Sequence, residues 1–441
     1  MLSGIAFHPL GRKSLGRVAD SGKLPDYNNT KYQFAGLVQS INKKIDKVVI
    51  VGGGNAAHVF VARCGHLGIA CDWLATFTGE AHRLKAAIGN DGGITAINTL
   101  TGQAWFGRPE RISDDPAEIL PGAALIIMTM PIFAQEPTLK IIAPYIEEGA
   151  CLGAIPGGAA FDALIYETLG MSKAKQCDIF GTRTLPWACR ITEYGKAVSI
   201  LGTKENDQIV LNSSRRSFVI NQVQRIVGHD LKYMPADNFL FLSFTMPWHP
   251  CFMYGMFSDW DGITPFKEQP AFYTSVSQST ANLISDASDE IIQLRNEIMK
   301  LFPEINLSEV THAKDWMKSA YAASIKGTDL DDLHSMIAKN PAYRGLLFPM
   351  KAVQGGYVPD YTSRYLTEDI PCVFLVYKGL AEMVGFQIPI IEMIIEWSQR
   401  VMGKEYIVNH RLLGRDLKES RAPQRFGFED FAAFAKTMGY I

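Results

Sequence analysis

The sequence predicts an α/β fold: a doubly wound parallel sheet followed by a second, mostly α-helical domain. Three observations carry this expectation. A β-branched run, Lys47 to Val51, ends on Gly52-Gly53-Gly54 and opens directly into a helical stretch from Asn55. Apolar strand segments and helical periods then alternate as far as residue 234. Beyond Met234-Pro235, helical periods dominate.

The first strand has no polar alternation, as expected of a parallel strand buried on both faces. Three glycines let the chain turn sharply and leave no Cβ between backbone and ligand. Gly52, Gly54 and Ala57 fill the G-x-G-x-x-G/A places of a Rossmann nucleotide fold. Free N–H groups at the helix start, aided by the helix dipole, capture a pyrophosphate. Gly52, Gly53, Gly54, Asn55, Ala56 and Ala57 are therefore the expected contacts to a dinucleotide, although such turns also occur for packing alone.

A chain of 441 residues suffices for two domains with full cores. The net charge of −2 gives no electrostatic reason to expect nucleic acid or an acidic membrane. Seven scattered cysteines without a C-x-x-C pair indicate neither a zinc site nor a disulfide framework, so no metal is expected and a reducing, cytoplasmic compartment fits. No apolar run is long enough to span a bilayer. Residues 1–46 read as an extension; Arg12, Lys13 and Arg17 suggest a transit peptide, which Asp20 and Asp26 weaken.

Along the chain, Ile69–Thr76 reads as the second strand. A ribose-binding acid often ends this strand, but here Thr76-Phe77-Thr78 follows, with Arg83 further on. Phe77 could cover an adenine or cap the core; Arg83 could meet a 2′-phosphate or lie on a solvated helix face. Residues 93–107 alternate around Thr101-Gly102 as an inserted hairpin. Asp114-Asp115-Pro116 begins a short helix. Ala124–Met130 is a buried strand ending at Pro131, where such folds place the nicotinamide. A helix from Pro137 to Ile146, a strand at Cys151–Ile155, then Pro156-Gly157-Gly158 and another helix follow. Ile179–Gly181 and Ala197–Leu201 complete the strands.

In the second half, helical periods cover Asp237–Phe244, Thr280–Phe302, Glu309–Ser324, Leu330–Ala338, Ile370–Val384 and Ile391–Met402, with Gln354-Gly355-Gly356 as a linker. Histidine titrates in the range that proton transfer to or from an oxidoreductase substrate requires. Of the nine histidines, His249 stands out, placed after the first helix of this half in Phe244-Thr245-Met246-Pro247-Trp248-His249-Pro250. The segment from Tyr361 to Pro371 offers it partners. Arg364 could clamp a carboxylate and Asp369 orient an imidazole, or the segment could be a capped helix start with a surface ion pair.

From Lys47 to Phe428 the chain resembles the octopine dehydrogenase group of opine dehydrogenases. The resemblance rests on Gly52 through His58, Thr184 through Ile191, Leu201-Gly202-Thr203-Lys204, His249-Pro250, Trp260-Asp261-Gly262, Arg364 through Pro371, Gly403 through Tyr406, and Pro423 through Phe428. It implies a Rossmann domain over 47–234, a helical opine-dehydrogenase domain over 235–441, and an active site between them. It also implies NADH-dependent reductive condensation of a 2-oxo acid, usually pyruvate, with the amino group of an amino acid. Carried over, His249 is the catalytic histidine, Asp369 its partner and Arg364 the arginine that holds the oxo acid. Trp187, Cys189, Thr184 and Gly158 would line the substrate pocket. In arginine-using members an acid precedes the Thr-Leu-Pro-Trp match; here Arg183 does, or else points to solvent or pairs with an acid such as Glu193. Glycines follow Pro156 where the family has a polar side chain. A small or sulfonate amine (taurine, alanine, glycine) is expected. Two other readings remain: a 2-hydroxy-acid or 6-phosphogluconate-like dehydrogenase, and a catalytically silent NAD-binding regulatory protein.

Overall fold

The structure is a computed structural model that describes residues 47–90, 92–204, 207–242, 248–321, 325 and 327–441. The expected N-terminal extension and the stretch from Phe244 to Pro247 lie outside these residues. Strand β1 (Lys47–Val51), helix α1 (Asn55–His66), strand β2 (Ala70–Leu74) and helix α2 (Glu80–Ile88) form the first unit of the nucleotide fold. β1 is central because Val48 and Ile50 pack into one core while Val49 and Val51 face the other, all four fully buried. Asp72 is buried in β2, where Lys47 and Arg111 neutralise it.

The hairpin β3 (Ile94–Asn98) and β4 (Ala104–Gly107) forms as expected. A short strand β5 (Ile112–Ser113) and a one-turn helix α3 (Pro116–Ile119) follow, the latter capped by Asp115. Next come β6 (Leu125–Met128), α4 (Ile132–Ile142), β7 (Cys151–Ala154), α5 (Phe161–Leu169), α6 (Met171–Ala174) and β8 (Asp178–Thr182). Helix α4 begins on Pro131 rather than at Pro137, which sits inside it. The last strands before Pro235 are β9 (Trp187–Glu193), β10 (Ala197–Thr203), β11 (Gln208–Asn212) and, after α7 (Arg216–Val227), β12 (Lys232–Met234).

Eight strands form one sheet in the order β12-β11-β8-β7-β6-β1-β2-β5, parallel except where β11 meets β8. β10 is not part of it. With β9 it joins the hairpin as a second sheet, β4-β3-β10-β9, laid over α1. The close approach depends on glycine: a Cβ on Gly65 of α1 would lie 2.2 Å from the Gly107 Cα of β4.

From Pro235 onward the structure is mainly helical. Residues 236–241 form a 3-10 turn, followed by α8 (Trp248–Phe257), α9 (Gln278–Leu301), α10 (Ala313–Tyr321) and α11 (Leu333–Ala338). The expected glycine linker is instead the turn of a hairpin, β13 (Met350–Val353) and β14 (Gly356–Pro359). Helix α12 (Arg364–Thr367), a π-helical turn over 370–374, α13 (Leu375–Met383), α14 (Pro389–Met402) and α15 (Phe431–Met438) complete the chain. The buried Glu290 of α9 accepts from the Ile390 and Ile391 amides, filling the start of α14. Among the described residues no helix is long and apolar enough to cross a membrane.

Candidate active site

The glycine turn leaves the start of α1 open. Gly52 adopts φ +108°, which only glycine takes readily, and its carbonyl is held by the Trp73 indole at 2.6 Å. Gly54 precedes α1 with no side-chain cap; the first turn carries no acid, and a Cβ at Gly54 would meet open space. The leading amides of α1 therefore face outward beside Gly54, Asn55 and Ala56, which line a cavity. Ala57 packs inside the fold. Asn55 Oδ1 accepts from the Ile191 amide at 2.8 Å, fixing α1 to the second sheet. His58 is fully buried; Nδ1 donates to the Gly54 carbonyl while Nε2 accepts from the Gly195 amide, and burial lowers its pKa. It is a neutral structural histidine.

Glu80 went unnoticed in the sequence. Its carboxyl packs directly over Gly53, where an added Cβ would lie 2.1 Å from Cδ. Burial raises its pKa, and Arg83 opposes that shift. Phe77 is 71% exposed, and Arg83 is exposed with Nη1 donating to the Thr78 carbonyl. Neither borders the cavity.

That cavity, ≈ 470 Å³, lies where the C-terminal ends of the central strands meet the helical half. Pro131, Pro156, Gly158, Arg183 and Thr184 line one side; Trp248, His249, Tyr273, Arg364 and Asp369 line the other. His249 comes after the 3-10 turn over 236–241, as the sequence suggests, and itself lies in the first turn of α8. Its Nδ1 is 2.7 Å from Asp369 Oδ2, and its Nε2 is 3.1 Å from the Tyr273 hydroxyl. Tyr365 stacks on the imidazole at 4.1 Å. Burial pushes the Tyr273 hydroxyl pKa well up, so it stays protonated and donates to Nε2. Arg364 opens α12, capped by Ser363, and is exposed toward the cavity. Glu368 is buried beside it, and burial raises its pKa.

Two expected pocket residues point elsewhere. Along β9 side chains alternate, so Trp187 and Cys189 turn into the core while Arg190 reaches the cavity. Trp187 packs against Phe60 and Trp105, and burial pushes the Cys189 thiol up to about 11. Lys204 lines the cavity as well, its pKa lowered by burial and raised in part by Asp207. Its side chain is open to solvent at the cavity wall. Arg183 is half-buried, and burial lowers its pKa. Its Nη2 donates to the Glu309 carbonyl at 3.2 Å, its Nε has no hydrogen-bond partner among the described residues, and Glu193 pairs with Lys196.

A family model described as "NAD/NADP octopine/nopaline dehydrogenase, alpha-helical domain" matches residues 235–402. The octopine dehydrogenase of Pecten maximus is 35% identical over 395 residues, covering 88% of this chain and 98% of that protein. This chain belongs to the opine dehydrogenase family. The tauropine dehydrogenase of Arabella iricolor is equally similar, 35% identical over 396 residues, covering 86% of this chain and 98% of its own length. A solved structure of octopine dehydrogenase with NADH and L-arginine superposes with a TM-score of 0.81 at 35% identity, covering 89% of this chain and 98% of that one. Opine dehydrogenases are NAD-dependent oxidoreductases acting on CH–NH bonds, the reaction class expected from the sequence. The uncapped, acid-free start of α1 fits the pyrophosphate of that cofactor.

Proposed function

We propose that this opine dehydrogenase condenses pyruvate with a small or anionic-tailed amine, such as taurine, alanine or glycine, in preference to arginine. The division of labour follows the chain, with the nucleotide-binding part ending near 234 and the helical part supplying the acid–base groups. The glycine turn from Gly52 to Ala57 would hold the pyrophosphate, Pro131 would border the nicotinamide, and Glu80 would take the ribose hydroxyls in place of the missing strand-end acid. NADH, when bound, supplies the hydride.

Arg364 would hold the oxo acid's carboxylate with its carbonyl carbon exposed to the amine. The amine nitrogen attacks that carbon and the carbonyl oxygen takes a proton. Loss of water leaves an imine, which hydride reduces at the same carbon. His249 suits the proton steps: Asp369 keeps the Nδ1 proton in place, which leaves Nε2 as the atom that accepts and returns protons. Tyr273 would give up its contact with Nε2 as substrate enters.

The observation that carries the amine assignment is Arg183 on the cavity wall, without a carboxylate of Glu193 to neutralise it. Buried Asp207 and nearby Glu309 offset part of that charge. Lys204 and Arg190 add positive charge to the same wall. Oxidation of NADH by pyruvate, followed with and without each amine, tests the proposal. Turnover that needs an amine and is fastest with taurine, alanine or glycine is expected. Amine-independent turnover would mark a 2-hydroxy-acid dehydrogenase, and best turnover with arginine would refute the amine assignment.

A further inference from the structure

Arg421 is 2% exposed, and among the described residues no carboxylate reaches ion-pair distance of it; its nearest recorded partners are uncharged. Glu136 and Glu368 act on it only from beyond that distance, and a buried cation with no directly paired carboxylate is costly unless its donors are well used. Here they meet Rossmann-side acceptors. Nη2 donates to the Ile132 carbonyl at 3.0 Å and to Gln135 Oε1 at 2.8 Å, and Nη1 approaches the Ala159 carbonyl. Gln135 passes the contact on: its Nε2 donates to the Pro156 and Gly157 carbonyls, both at 2.9 Å. The Arg421 amide donates to the Pro371 carbonyl at 2.9 Å, two residues beyond Asp369.

Arg421 therefore joins three segments: the first turn of α4 after Pro131, the loop from Pro156 to Ala159, and the segment carrying Asp369. The first two each supply cavity-lining residues, Ile132, Pro156 and Gly158. The Gly158 turn is shaped to receive the guanidinium, since a Cβ there would lie 2.7 Å from Nη1. Glu368 strengthens the same junction. The Phe133 amide stabilises its carboxylate while the Ile132 carbonyl takes the Arg421 donor, so both ends of one peptide group are held from the helical half.

We propose that Arg421 is a positioning residue: through Gln135 it fixes the start of α4 and the Pro156–Ala159 loop around the oxo acid in register with the His249–Asp369 pair. This rests on reading the cavity as the oxo-acid site, and it adds that the site's geometry is set by a residue that touches no substrate. Misplacing a bound reactant by about 1 Å can cost up to a hundredfold in rate, so the effect should be kinetic and not only thermodynamic.

The test compares the unaltered full-length protein with Arg421→Lys and Gln135→Glu. Each is assayed for pyruvate KM, kcat, NADH dissociation constant by fluorescence titration, and Tm. Gln135→Glu keeps a partner for Arg421 but withdraws the two amide donors from Pro156 and Gly157, so it remains informative if Arg421→Lys fails to fold. Both should raise pyruvate KM and lower kcat, by roughly tenfold or more in kcat/KM, with NADH affinity within about twofold. A lower Tm with unchanged kinetic constants in the folded fraction would overturn the proposal, as would unchanged constants in folded Gln135→Glu. Failure of the unaltered protein to reduce pyruvate with any amine counts against the substrate reading instead, and the variants are then compared on the 2-oxo acid it does reduce.

Discussion

His249 Nδ1 stands 2.7 Å from Asp369 Oδ2, across 120 residues of chain. Because the carboxylate accepts from Nδ1–H, the imidazole is held in the tautomer whose Nε2 carries the lone pair. Stacked Tyr365 fixes the ring plane, and the Tyr273 hydroxyl marks where a substrate proton would lie. His249→Ala should lower kcat by roughly a hundredfold or more. Asp369→Asn should lose a comparable amount, since an amide can donate toward Nδ1 and stabilise the wrong tautomer. NADH affinity, read by fluorescence titration, should barely change in either variant. Near-normal turnover in folded His249→Ala would remove this histidine from the mechanism.

Glu80 bears on cofactor choice. Its carboxyl over Gly53 lies six residues past the end of β2 and has Arg83 as a neighbour. If it accepts from the ribose hydroxyls, a 2′-phosphate meets a negative charge there, and NADH should be preferred over NADPH. Glu80→Ala should then raise the KM for NADH by about tenfold, the value of a hydrogen bond to a charged group, and narrow the gap to NADPH. Specificity constants for the two cofactors decide this. A preference of the unaltered enzyme for NADPH would mean that Arg83 reads the phosphate.

Asp162 gives a stability prediction. It is fully buried at the start of α5, hydrogen-bonded by the Tyr440 hydroxyl at 2.5 Å, and burial raises its pKa from 3.8 to about 7. The folded state therefore holds this proton more tightly than the unfolded chain. Its contribution to stability is greatest below pH 4, falls as the pH rises toward 7, and is constant above that. The full swing is on the order of 4 kcal/mol at most. Asp162→Asn should remove this slope, so that its Tm relative to the unaltered protein rises between pH 5 and pH 8. Parallel Tm curves across that range would show that the carboxyl does not titrate there.

The glycine turn was legible because its requirement is local: a buried strand, φ beyond the reach of a side chain, and a helix start all lie within a few residues. His249, Asp369 and Arg364 were legible by family resemblance, since no local period brings Asp369 to a histidine 120 residues away. Trp187 and Cys189 were misplaced for a physical reason. Their segment matches the family, but the two-residue period of β9 sends them to the core and Arg190 to the cavity. Glu80 was missed because the chain runs through a turn before returning the acid to the glycines. Arg421 carried no visible signal, as its acceptors are two backbone carbonyls and the side chain of Gln135, 286 residues away. The helix at Pro137 was placed too late because a proline reads as a helix start, whereas Pro131 caps α4 and Pro137 lies within it.

Selection among amines should turn on Arg183. The cavity's Rossmann side carries Arg183, Arg190 and Lys204, while Arg364 faces them from the helical side. Among the described residues Glu368 and Asp369 are the acids that line the same cavity, and Asp369 is engaged with His249. An arginine side chain entering here would bring a fifth cation, whereas a sulfonate or a second carboxylate would bring a counter-ion. Opposite charges at contact distance are worth about 1 to 4 kcal/mol depending on exposure, which corresponds to tenfold selection or more. Asp207, buried near Arg183, and Glu309 offset part of that field, leaving Arg190, Lys204 and Arg364 on the same cavity. With pyruvate and NADH, kcat/KM for taurine, alanine or glycine should exceed that for arginine by roughly tenfold or more. Arg183→Glu should narrow or reverse the ratio while leaving NADH affinity in place. An unchanged ratio in a folded Arg183→Glu enzyme would move amine selection to other residues of the wall, with Lys204 the next to substitute.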